Sequence, residues 1–230
     1  MMTRRKFGEV LAMGAASLLS LSWLGFVKSN IKTKKMKRNV AILIFDDAEV
    51  LDFAGPFEVF SVASEVHNYE LFNVFTVAKT MDKIIARNGL SVNPDFDFIN
   101  APKIDILIIS GGSGSSAILE ERETLDWVEL IHQSTENTLS ICSGARILGI
   151  LGLLDNQAYC THHGVYAHMK EIVPTGIPQP KKRYVQAGKI FTSGGISAGI
   201  DLSFHVLLQL HGKQVVDNTA GYMEYRLETS

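Results

Sequence analysis

Apolar and polar positions alternate along this chain in blocks that read as strands and helices in turn. Asn39–Phe45 is one continuous apolar run, the pattern of a strand covered on both faces. Asp46–Val50 turns the chain, and Leu51–Pro56 leads into a helix expected from Phe57 to about His67, with Pro56 at its first position. Leu71–Ala78 reads as a second strand, and Ile84–Val92 as a hairpin about the Asn88-Gly89 turn. Ile104–Ile109 is another buried strand, and Leu125, Val128 and Ile131 mark a helix over Thr124–Gln133. Asn137–Ile141 predicts a short strand, followed by an apolar helical run from Arg146 to Leu154. Ala158–Thr161 is a short strand, Arg183–Val185 pairs with Lys189–Thr192 about Ala187-Gly188, and a last helix covers Ile200–Leu210. Strands alternating with helices predict an α/β domain with a mainly parallel sheet and helices on both faces. Sites in such folds lie beyond the carboxyl ends of strands. Four candidate stretches fall there: the Asp52 turn, the Gly112 loop, Cys142 and His162.

With 230 residues, 46% of them apolar, the chain suits one globular domain. Its beginning differs from the rest. Thr3-Arg4-Arg5-Lys6-Phe7 precedes an uncharged stretch from Val10 to Val27, which reads as a twin-arginine type export signal over residues 1–29. Left uncleaved, the same 18 residues suffice for a membrane anchor. A basic tether follows over residues 30–39, with the domain expected over 40–230. Nine of the 22 basic residues precede Asn39 but only Glu9 of the 24 acidic ones, so the core carries about −10. An acidic core without a basic stripe speaks against nucleic-acid binding, which depends on neutralising phosphates. The tether's lysines suit contact with anionic lipid.

The chemistry centres on Ile141-Cys142-Ser143-Gly144-Ala145, a strand followed by small residues and then a helix. That pattern describes a sharp elbow holding one side chain out at the sheet's edge. Here the side chain is a thiol, and the start of a helix is expected to favour its thiolate and to offer N–H groups to a reacting anion. The alternative is a buried structural cysteine. Asp52 interrupts an apolar segment; it is either a cap for the following helix or a carboxyl held near the thiol. Gly112-Ser113-Gly114-Ser115-Ser116-Ala117 has the form of a dinucleotide fingerprint, but no acidic residue ends the next strand, so a tight turn offering N–H groups is favoured. His162, His163 and His168 lie near Cys160 in a spacing that fits no metal pattern, so no metal and no organic cofactor is expected. Cys142 and Cys160 form at most one disulfide.

Taken together, Leu51–Pro56, Ser110–Gly114, Cys142–Gly144, Thr161-His162 and Thr192–Asp201 resemble the ThiJ/PfpI branch of the class I glutamine-amidotransferase-like superfamily, over roughly Val40 to Tyr225. The resemblance implies a flavodoxin-like fold in a single domain. Within the branch the chain is most similar to isonitrile hydratase and to the sensor domains of AraC-type regulators. The match implies Cys142 as nucleophile, Asp52 as the acid and base beside it, Ser143 and Gly112 as donors to a reacting anion, His162 near the thiol, and Gly195 lining the substrate site. Ser143 stands where a His usually follows the nucleophile in protease-like and glyoxalase-like members, and His163 where isonitrile hydratase has an aromatic residue. The implied activity is addition of water to an isonitrile or similar small electrophile through a covalent thioimidate, in a homodimer. The rival expectation is an exported ligand-binding or redox-sensing protein on the same scaffold.

Overall fold

Apolar β-rich runs pair where they are expected to, and the rest of the molecule is hung on them. The computed structural model describes residues 37–227. The strands are β1 (Arg38–Leu43), β2 (Phe72–Ala78), β3 (Ile84–Ile85), β4 (Ser91–Val92), β5 (Phe96–Asp97), β6 (Ile106–Ile109), β7 (Asn137–Ser140), β8 (Ala158–Tyr159), β9 (Ile177–Pro178), β10 (Tyr184–Ala187) and β11 (Ile190–Ser193). Seven of them make the main sheet in the order β10-β11-β7-β6-β1-β2-β5. All its neighbours are parallel except β10 and β11. The hairpin β3–β4 and the parallel pair β8–β9 stand outside it.

The helices are α1 (Val50–Glu65), α2 (Ser115–Ile118), α3 (Arg122–Ser134), α4 (Ala145–Ile150), α5 (Tyr166–Ile172), α6 (Ala198–His211) and α7 (Lys213–Tyr222). From β1 the chain crosses to β2 on one side; from β6 it crosses to β7 on the other. Right-handed crossovers in opposite directions put α1 and α3 on opposite faces. α6 and α7 pack with α1 on its face. The strand centres are therefore covered twice: Val40, Ala41, Ile42, Ile106, Leu107, Ile108, Ile109 and Leu139 are fully buried. Each of the Val, Leu and Ile side chains among them stabilises the fold by about 1.5–3 kcal/mol relative to exposure. The change of crossover direction opens a crevice at the carboxyl ends of β1 and β6, where ligands bind in open α/β sheets.

Several expectations need correction. The helix after β1 begins at Val50, not Phe57, and Pro56 lies inside it. Pro56 is its seventh residue; the N–H that proline lacks removes an intrahelical bond, but the helix continues to Glu65. The basic tether ends sooner than expected, because Arg38 and Asn39 belong to β1 and Arg38 pairs with Glu136 at 2.7 Å. The signal or anchor over residues 1–29, and the tether up to residue 36, lie outside the described residues. The helix after the elbow stops at Ile150, and α5 and α7 were not anticipated.

Candidate active site

The elbow is strained. Cys142 sits at φ +55°, left-handed space that residues with a Cβ rarely enter. Such backbone costs on the order of 1–3 kcal/mol and persists where the surroundings hold it. Here two bonds do so. The Cys142 N–H donates to the Gly194 carbonyl at 3.1 Å. The Cys142 carbonyl accepts the Thr161 hydroxyl at 2.7 Å. Cys142–Gly144 form one 3₁₀ turn before α4, and Gly144 lets that turn press onto the end of β6. A Cβ on it would meet the Ile109 carbonyl at 2.7 Å.

Asp52 comes from the other side of the crevice. It is the third residue of α1, whose N-cap position is Glu49, so it is not the helix cap. Its carboxyl is fully buried. Oδ2 accepts the Gly111 N–H and Oδ1 the Ile196 N–H, each at 3.1 Å. Ile196 is itself at φ +56°, an outlier for a β-branched residue. The loop after β11 is thus bent out of its ordinary conformation to aim an N–H at the acid. Asp52 is within side-chain hydrogen-bonding reach of the Cys142 thiol. Gly111 makes this meeting possible: a Cβ there would stand 2.8 Å from both Asp52 Oδ2 and Cys142 Cβ.

Burial pushes the Asp52 carboxyl up to about 7, against the pull of the Ile196 and Gly111 N–H groups. Burial, followed by the Asp52 charge, pushes the Cys142 thiol up to about 12; the Ser143 N–H and hydroxyl oppose this. The expected thiolate-favouring effect of the helix start therefore does not prevail. At 7% exposure the sulfur is poorly hydrated, α4 is only six residues long, and the nearest charge is negative. At neutral pH the sulfur rests as S–H beside a carboxyl that titrates near neutrality.

The remaining predicted residues gather at the same place. A Cβ on Gly195 would lie 3.3 Å from Cys142 Sγ and 2.5 Å from His162 Cδ2, so this glycine is the gap between thiol and imidazole. His162 Nδ1 accepts the Gly164 N–H at 3.1 Å, which leaves the ring proton on Nε2. Burial and then the neighbouring His163 lower the His162 pKa, so the ring is neutral near pH 7. The exposed His163 ring lies on it at 4.1 Å. Gly112 needs a correction: its N–H donates to Ser143 Oγ at 2.9 Å, and is therefore occupied rather than free for a reactant. Its φ of +115° and the 2.3 Å a Cβ would leave to the Asp47 carbonyl show why glycine is required. The G-x-G-x-x-A stretch is this tight turn, clasping the loop after β1.

Sequence reasoning passed over Gly111, Ile196, Ser115 and Arg146. Arg146 does carry a signal, a charge within an apolar helical run. The two cysteines are both free. Cys160 Sγ donates to the Thr192 carbonyl at 3.1 Å. Among the described residues no group of three His, Cys, Asp or Glu side chains converges to hold a metal.

The geometry has clear relatives. The chain is 29% identical over 191 residues to isonitrile hydratase of Pseudomonas putida, covering 83% of this chain and 79% of that one. It is 25% identical to the HTH-type transcriptional regulator GbdR of Pseudomonas aeruginosa, over 77% of this chain but 48% of the regulator. A ThiJ/PfpI family protein from Pseudomonas syringae superimposes with a TM-score of 0.75 at 23% identity, covering 91% of this chain and 86% of that one. Drosophila melanogaster DJ-1beta superimposes at 0.71 with 17% identity, over 83% of this chain and all of its own. The family model described as DJ-1/PfpI matches residues 38–209, and the chain belongs to the DJ-1/PfpI family.

Proposed function

We propose that this protein hydrates isonitriles, or closely related small electrophiles, to N-substituted formamides. One observation carries the reading: a thiol on a strained elbow stands against a buried carboxyl that titrates near neutral pH. Ionised Asp52 takes the thiol proton as Sγ bonds to the terminal isonitrile carbon. The same carboxyl returns that proton to the carbon, leaving Cys142–S–CH=N–R. Water then adds to this thioimidate; Asp52 accepts a proton from the water and passes it to nitrogen. The C–S bond breaks, the formamide leaves, and sulfur regains its proton. The sum is one isonitrile and one water in, one formamide out. This is covalent catalysis with a shared acid and base. The Ser143 N–H and hydroxyl face the sulfur, where charge develops. His162 lends a neutral N–H donor at the mouth of the site, and Gly195 leaves room for the reacting carbon.

The sequence likeness to isonitrile hydratase supports the substrate class. A redox-sensing role is less favoured: it is the thiolate that attacks peroxide, and this sulfur is held as a thiol with no acceptor for its proton in that reaction but Asp52. The proposal includes export, directed by the N-terminal basic and apolar stretches, and a homodimer. Cell fractionation and sedimentation test those two parts. The central test is formamide production from a panel of isonitriles, read by chromatography, with wild type and Cys142→Ala side by side. Turnover by the wild type alone supports the reading; turnover that survives in Cys142→Ala overturns the covalent route.

A further inference from the structure

Arg146 is a charge without a visible reason. It lies on α4, one turn beyond the nucleophile, and is 8% exposed. Among the described residues no carboxylate lies within ion-pair distance of it. Its Nη2 donates to Ser115 Oγ at 2.5 Å, while its Nε is buried with no partner. Burying a cation costs several kcal/mol unless an anion answers it. A negative charge formed on the Cys142 sulfur, one helical turn back along the chain, would answer it.

A chain of hydroxyls joins the two. Arg146 donates to Ser115 Oγ, so the Ser115 proton must point away from the guanidinium. Ser115 donates to the Gly112 carbonyl at 2.6 Å and lies 3.0 Å from Ser143 Oγ. Ser143 donates to the same carbonyl at 3.0 Å. With Ser115 turned toward it by Arg146, the Gly112 carbonyl stays satisfied when the Ser143 proton swings to the sulfur. We propose that Arg146 is the buried counter-charge for the anion formed at Cys142, and that through Ser115 it frees the Ser143 hydroxyl to face that anion.

The consequence concerns one shared proton. The pair exists as carboxylate with thiol or as carboxylic acid with thiolate, and net charge is the same in both. A cation joined through Ser115 to Ser143, the residue whose N–H and hydroxyl face the sulfur, favours the second form. The other titratable groups facing the site are Asp52 from α1, Glu49 just before it, and His162 with His163 after β8. Arg146 is a positioning residue in this scheme; it does not touch the reacting carbon. The inference rests on Cys142 and Asp52 acting as nucleophile and acid, but not on the identity of the substrate.

The test therefore uses no isonitrile. The full chain is alkylated with iodoacetamide between pH 6 and 10, and the Cys142 peptide is quantified by mass spectrometry in wild type, Arg146→Met, Arg146→Lys and Ser115→Ala. Arg146→Met is expected to slow Cys142 alkylation about tenfold at each pH, the effect of about one unit in the thiol pKa. Arg146→Lys is expected to recover most of the rate, and Ser115→Ala to fall between. The thermal midpoint of Arg146→Met is expected to hold or rise, since apolar residues often replace buried charges favourably. A folded Arg146→Met with an unchanged alkylation profile overturns the proposal, whatever its melting point. If Arg146→Met does not fold, an unchanged profile in Ser115→Ala overturns it instead. Formamide turnover, measured separately, decides the reading of the reaction without touching this result.

Discussion

Two cysteines lie in this molecule, both buried and both with thiols pushed up by burial, Cys142 to about 12 and Cys160 to about 11. Burial alone does not separate them. Cys160 follows β8 and gives its proton to the Thr192 carbonyl, an acceptor that cannot carry it away. Cys142 stands beside Asp52, which can. Cys142 also occupies left-handed backbone, held by the Gly194 carbonyl and the Thr161 hydroxyl. In the proposed reaction, what sets Cys142 apart is a proton acceptor within reach and a backbone held in place, more than an acidic thiol.

The contrast breaks most visibly in turnover. Cys142→Ala is expected to abolish formamide production, while Cys160→Ala leaves kcat/KM at the wild-type level; loss of activity in both points to a shared structural cause. Next, Asp52→Asn is expected to slow turnover about 10²–10⁴-fold, the usual share of an acid and base. In the wild type, kcat/KM is expected to fall as pH drops through about 7, because protonated Asp52 cannot accept the thiol proton. A pH profile flat between 5.5 and 8 removes Asp52 from the mechanism.

Stability sharpens the same comparison. The Asp52 pKa is raised from 3.8 to about 7 in the folded chain. The folded state therefore holds a proton that the unfolded state has lost between these values. Its contribution to stability is full below pH 4 and is lost as pH rises through 7. Asparagine has no such titration. The stability of Asp52→Asn relative to wild type is expected to rise between pH 4 and 8, by at most about 4 kcal/mol. Loss of an acceptor for Gly111 or Ile196 adds an offset of about 1–3 kcal/mol that does not vary with pH. Denaturant melts at several pH values read the slope; a relative stability that falls or stays level contradicts the raised carboxyl. The smallest effect belongs to Cys160→Ala, expected to cost about 1 kcal/mol through a lost buried sulfur and its hydrogen bond, in the same melts.

Much of the sheet was legible because both of its faces are covered. Val40–Phe45 and Ile106–Ile109 had to be apolar throughout, and such runs identify themselves. α1 was misplaced because Pro56 is a common helix start and was read as one, although α1 absorbs it at the seventh position. α5 and α7 escaped because their apolar faces are thin: in α5 only Met169 is fully covered. At the site, Cys142, Ser143 and Asp52 were legible as exceptions, small or charged residues in apolar surroundings. Ile196 gave no such sign, since nothing about an isoleucine says that its N–H will be aimed at a carboxyl 144 residues away.

The sequence by itself determined the α/β alternation, the elbow at Cys142 and the membership of Asp52 in a buried segment, because each follows from local side-chain pattern and turn chemistry. Only the tertiary structure decided the protonation states. The direction of a pKa shift depends on which charges and N–H groups arrive from distant strands and on how much water they exclude. The helix start alone argued for a thiolate; burial and the carboxyl brought in by α1 hold a thiol instead. The same reason hid Arg146, whose buried charge the fold sets behind Ser115 with no carboxylate within ion-pair distance among the described residues.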